Sequence, residues 1–153
     1  MTPTRLHATH VGDAGPHVVL LHGLFGMGSN LGALARALES GYRVHSLDLP
    51  DHGRSAWTDG TDLPCMAGAV GAWLREAGIE KAHLVGHSLG GKVAMQLALA
   101  DEATVASLVV ADIAPVRYDA SHDAVFAALA AVEAAAVDGR REAGEILRRY
   151  LEE

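Results

Sequence analysis

Short apolar runs alternate along this chain with longer segments whose apolar residues recur three and four positions apart. Val18-Val19-Leu20-Leu21 is continuous and ends in His22-Gly23, which predicts a strand buried on both faces. A more modest strand is expected before it, from Arg5 to Val11. Ser29 or Asn30 is placed to cap a helix with Leu31, Leu34, Ala35 and Leu38 on one face, ended by Gly41. Tyr42 to Leu47 reads as the next strand, finishing at Asp48. Pro64 then opens a helix carrying Met66, Val70, Trp73, Leu74 and Ala77 at helical spacing, stopped by Gly78. Lys81 to Val85 is a strand, Lys92 to Leu99 a buried helix, and Ser107 to Asp112 a further strand. Strands alternating with helices imply an α/β fold, a mostly parallel sheet with helices on both faces.

After Pro115 the pattern changes, and the chain divides into a sheet-forming part, 1–117, and a purely helical part, 118–153. From Ser121 to Val137 it is Ala-rich, with Val125, Phe126, Leu129 and Val132 on one helical face. Asp138 precedes a second helix whose Ala143, Ile146, Leu147, Tyr150 and Leu151 form an apolar stripe. That stripe is still running at Glu152 and Glu153, where two negative charges oppose the helix dipole and no Gly or Asn caps the end. The expectation is that the helical part is incomplete and that a C-terminal segment is missing.

Composition narrows the function. A chain of 153 residues, half of them hydrophobic, can bury a real core. Net charge is −7 with no basic stripe, which argues against nucleic acid or an anionic membrane as partner. No basic leader precedes an apolar run, and no apolar run approaches the length of a membrane span, so a cytoplasmic location is expected. The single cysteine, Cys65, rules out an intrachain disulfide and fits a reducing compartment. It follows Pro64 with no motif around it, and a buried structural thiol is expected.

The chemistry centres on Gly86-His87-Ser88-Leu89-Gly90, a G-x-S-x-G run between a predicted strand and a predicted helix. A serine at such a turn occupies a strained backbone conformation, and glycines two residues to either side remove the Cβ atoms that would clash. The turn exposes the Ser88 hydroxyl beside the N–H groups of the helix start. Read differently, Gly86 to Gly91 followed by Lys92 is one residue short of a phosphate-binding P-loop, and the strand ending in Asp112 resembles a magnesium-holding strand. That reading needs a hydroxyl after the lysine, and Val93 has none.

His22-Gly23-Leu24-Phe25-Gly26 follows a buried strand, where a Gly-rich loop can offer a backbone N–H to an oxyanion. Leu24 and Phe25 are the candidate oxyanion and substrate-binding residues of that loop, and the Leu89 N–H is the second donor. The plainer alternative is that Gly23 and Gly26 only make a turn. His22 is expected to brace the loop. Asp48 to Ser55 reads as a scaffolding turn, with Asp48 a lesser rival for the catalytic acid. Asp112 ends the strand after the nucleophile strand and is either that acid or an ordinary strand-end cap. His87 is read as packing.

These stretches together resemble the α/β-hydrolase superfamily, and more narrowly the YbfF-type bacterial esterases related to the ABHD11 group. The resemblance rests on Leu21 to Gly26, Asn30-Leu31-Gly32, Asp48 to Ser55, Gly86 to Lys92 and Asp112-Ile113-Ala114-Pro115-Val116. It implies hydrolysis of a small-molecule carboxylic ester or thioester through an acyl-enzyme on Ser88, with no metal or organic cofactor. It also implies that the helices after Pro115 begin a cap over the site. The superfamily order is serine, acid, histidine, and after Asp112 only His122 follows, at no matching position. The remaining His7, His10, His17, His45, His52 and His83 contain no H-E-x-x-H, and His7 and His10 fall on opposite sides of a strand. Two other readings stay open: a C–C bond hydrolase or lyase using the same serine, and a non-catalytic fragment lacking the base.

Overall fold

The computed structural model describes residues 4–118 and 122–151, in two units, Met1–Pro115 and Val116–Glu153. Ser121, Glu152 and Glu153 lie outside the described residues. In the first unit the strands are β1 (Ala8–Val11), β2 (His17–Leu21), β3 (Arg43–Leu47), β4 (Ala82–His87) and β5 (Val105–Ala111). They form one sheet in the order β1-β3-β2-β4-β5. β1 runs antiparallel to β3, and every other pairing is parallel. This is the expected α/β architecture.

The helices are α1 (Gly32–Leu38), α2 (Leu63–Glu76) and α3 (Leu89–Ala100). The continuous apolar run of β2 feeds both faces of the sheet. Val19 and Leu21 join Leu47 and Leu84 against α2 and α3, where Val70, Leu74, Val93 and Leu97 complete the larger core. Val18 and Leu20 point the other way, to Val44 and the Ala35 face of α1. Alternation along a strand produces this division, so a run without polar interruption is what a doubly covered strand requires.

Several element ends differ from expectation for identifiable reasons. Asn30 caps no helix; its Oδ1 turns back to accept the Met27 N–H at 2.7 Å, and a 3-10 turn over Gly28–Leu31 precedes α1. Asp62 caps α2, accepting the Cys65 N–H at 2.8 Å, so the helix begins at Leu63 with Pro64 inside its first turn. α3 starts at Leu89, directly after the serine, and β5 starts at Val105. β1 starts only at Ala8, although Arg5 and His7 remain tied to the sheet end by backbone bonds to Ala56 and Asp48. Cys65 is exposed, not buried, and the Asp62 carboxylate beside it holds the thiol above its ordinary pKa.

The second unit contains α4 (Asp123–Ala134) and α5 (Arg140–Leu151), packed on each other with Ala128 fully buried. Phe126, Leu129, Tyr150 and Leu151 keep much of their surface exposed. Among the described residues no helix is long and apolar enough to cross a membrane.

Candidate active site

Ser88 sits between β4 and α3 with φ 51° and ψ −116°. A side chain rarely occupies that region, and the surrounding packing has to hold it there. The turn is pressed against the end of β2. A Cβ on Gly86 would overlap the Gly90 carbonyl and lie 2.6 Å from Gly91 Cα; one on Gly90 would strike the Leu21 carbonyl and lie 2.6 Å from the His22 oxygen. Hydrogen bonds secure it on both sides. The Ser88 N–H donates to Ala111 O on β5 at 2.9 Å, and the Gly90 N–H to His22 O at 3.0 Å. Leu89 is the first residue of α3, so its N–H has no intrahelical acceptor.

The loop after β2 comes to the same place. Gly26 N–H donates to Gly23 O at 3.0 Å, closing a turn that projects Leu24 and Phe25, the latter with φ 60° and 54% exposed. A Cβ on Gly23 would lie 2.9 Å from His87 Nδ1 and 3.3 Å from Ser88 Cβ, so this loop and the serine turn are in direct contact. His22 is buried and braces the loop. Its Nε2 accepts the Leu49 N–H at 3.0 Å, which leaves the proton on Nδ1 to donate to Gly23 O at 2.7 Å. Burial pushes its pKa down, against the pull of the Gly23 carbonyl.

Asp48 is buried, and its two carboxylate oxygens accept the Gly28 N–H at 2.6 Å and the Arg54 N–H at 2.8 Å. Ser55 Oγ donates to the Asp48 carbonyl at 2.6 Å and accepts the His7 N–H at 2.9 Å. Asp48 therefore holds loops together. Asp112, with φ 59°, follows β5, and its Oδ2 lies 3.4 Å from His87 Nε2. Both side chains are largely exposed, so His87 is not the packing residue the sequence suggested; it bridges the loop at Gly23 and Asp112. No hydrogen bond to the Ser88 hydroxyl occurs among the described residues. His122 is exposed at the N-terminus of α4, its carbonyl accepting the Phe126 N–H.

Sequence reading missed one histidine group. His10 and His17 stack on opposite sides of His45 at ring-centroid distances of 5.0 and 5.2 Å, with His17 Nδ1 2.9 Å from His45 Nε2. Trp73 meets His45 edge-on at 5.2 Å. Burial first, then the neighbouring His10, His17 and Arg43, lower the His45 pKa to about 4. Among the described residues no group of three His, Cys, Asp or Glu has a geometry that could hold a metal.

A strained serine at a strand-to-helix turn lies beside a Gly-rich loop on the neighbouring strand, and the chain belongs to the α/β-hydrolase family. The alpha/beta hydrolase fold matches residues 16–145. It is 39% identical over 137 residues to esterase YbfF of Escherichia coli K12, covering 89% of this chain and 54% of that esterase. It is 42% identical over 127 residues to the mouse sn-1-specific diacylglycerol lipase ABHD11, covering 80% of this chain and 41% of the lipase. A solved marine-microorganism esterase superposes with TM-score 0.92 at 33% identity, over 97% of this chain and 59% of that one. The chain thus spans about half the length of the curated relatives it matches, and the YbfF-type resemblance read from its motifs is borne out.

Proposed function

We propose that this chain carries the nucleophile and oxyanion site of a serine hydrolase acting on carboxylic esters or thioesters. The observation that carries this reading is Ser88 at φ 51°, followed by the unbonded first turn of α3 at Leu89 and met by the Gly23–Gly26 loop. Ser88 Oγ attacks the acyl carbon, and the resulting oxyanion accepts hydrogen bonds from the Leu24 and Leu89 N–H groups. Collapse of the tetrahedral intermediate expels the alcohol or thiol, and water then releases the acid from Ser88. The names of the relatives, an esterase and a lipase, support an ester as substrate.

The Ser88 proton needs an acceptor. We assign it to a histidine beyond residue 153, oriented by Asp112 or by a later acid, because the superfamily order places the base last and the match covers only 54% of YbfF. The family resemblance implies that α4 and α5 begin a helical cap. The test is turnover of short p-nitrophenyl esters. The 153-residue chain alone should run barely above background, well short of the residual ~10³–10⁴-fold over water that a formed site lacking a triad member can retain. Co-expression with any sequence its gene encodes beyond Glu153 should restore activity that Ser88→Ala abolishes. Robust Ser88-dependent turnover by the chain alone would place the base inside it, with His87 and His122 the first residues to replace. Activity that survives Ser88→Ala would remove the serine mechanism.

A further inference from the structure

We propose that the cavity beside the entry to β1 is a binding site for a small organic phosphate, separate from Ser88. The cavity measures about 530 Å³, and Arg5, His7, Arg54, Ala56 and Trp73 are among the residues that line it. Among the described residues no acidic side chain lines it. Neither Arg5 nor Arg54 forms an ion pair among the described residues. On a chain of net charge −7, two exposed arginines lining one hollow are a local reversal of sign.

The walls are held before any ligand arrives. The His7 N–H donates to Ser55 Oγ at 2.9 Å, the Ala56 N–H to Arg5 O at 3.2 Å, and the Arg54 N–H to Asp48 Oδ2 at 2.8 Å. The Trp73 indole is fixed edge-on by His45. With the backbone already held, the ordering that binding requires is confined to the two arginine side chains. The cavity's volume lies within the roughly 300–1,000 Å³ of small-molecule sites.

The chemistry selects the ligand class. Guanidinium forks match the oxygens of a phosphate two at a time. A phosphate monoester concentrates a charge of about −1.5 to −2 on one group, which two guanidiniums and an imidazole can meet together. The indole offers an apolar face to the organic part of the ligand. Because β1 is antiparallel, Ala8 pairs with Leu47 and the cavity lies at the C-terminal end of β3, the same end of the sheet as Ser88. Three strand spacings separate β1 from β4, about 14 Å at ordinary strand separation, so a ligand here does not touch the serine. This inference stands whether or not Ser88 is the nucleophile.

Calorimetric titration of the 153-residue chain with phenyl phosphate, inorganic phosphate, benzoate and phenol tests it. Phenyl phosphate should bind saturably and most tightly, inorganic phosphate more weakly, benzoate at least about tenfold more weakly than phenyl phosphate, and phenol not measurably. Arg5→Gln combined with Arg54→Gln should weaken phenyl phosphate by at least about tenfold while leaving the circular dichroism spectrum unchanged, since both side chains are exposed. Trp73→Leu should bring phenyl phosphate down to the level of inorganic phosphate and leave inorganic phosphate unaffected. The proposal is overturned if phenyl phosphate shows no saturable binding, if benzoate binds as tightly, or if the folded double-arginine variant binds as the parent does.

Discussion

At the scale of the residue, Ser88 and Gly23 anchor the proposed site between them. A left-handed backbone at a residue with a Cβ costs about 1–3 kcal/mol, and here Ala111, His22 and the close approach of Gly86 to Gly90 hold it. Gly23 is where the second strand's loop meets the serine, because any Cβ there would push on His87 and on Ser88 itself. In a complete active enzyme, Gly23→Val should therefore lower kcat by on the order of 10²-fold or more, the scale of losing one oxyanion donor. Steady-state kinetics beside a thermal melt checks this, and an unchanged kcat in a folded variant would take the loop out of the mechanism. Ser88, Gly86, Gly90 and Gly23 were legible in the sequence because a tight turn states its needs within a few residues. The His87–Asp112 contact was not. It exists because His87 pairs in register with Ala111, which places the next residue beside the ring.

At the scale of the element, the histidines of the first three strands make the fold sensitive to acid. His10 and His45 are direct partners across β1 and β3, and His17 on β2 reaches the same face. Burial lowers the pKa of His17, His22 and His45, the last to about 4, while an unfolded histidine titrates near 6.5. Below pH 6.5 the unfolded chain thus binds more protons than the folded one. The stabilisation is complete above that pH and is lost progressively as pH falls towards 4. Denaturant melts should show stability falling steadily from pH 7 to pH 4.5. His45→Gln should flatten that fall, and a parent profile already flat over this range would contradict it. Spacing along the chain concealed this group, since only strand register brings positions 10, 17 and 45 together. The P-loop reading fails at this scale too: Val93 lacks a hydroxyl and is fully buried on the core face of α3.

At the scale of the whole molecule, the sheet of the described residues ends at β5 with apolar side chains exposed. β5 is the last strand in the order, with Val109 52% exposed, and Leu99 on the adjacent α3 is 85% exposed. An unpaired apolar edge of this kind is a template for another strand. The 153-residue chain should self-associate, with sedimentation velocity showing a concentration-dependent shift. Val109→Lys should raise the dissociation constant by at least about tenfold through the charge it places on the edge. A parent that stays monomeric throughout the micromolar range would refute this.

The sequence by itself determined the α/β layering, the family, the serine turn and the Gly-rich loop. Each of these is written in local periodicity or in a few adjacent residues, as in the uninterrupted Val18–Leu21 run and the glycines around Ser88. Only the tertiary structure decided that His87 meets Asp112, that Cys65 lies on the surface, that three histidines stack, and which N–H groups, Gly28 and Arg54, the scaffolding Asp48 takes. It also brought Arg5, Arg54 and Trp73 around one cavity. The physical reason is common to all of them: each depends on which strand lies beside which and in what register, and that is settled by burying both faces of the sheet at once.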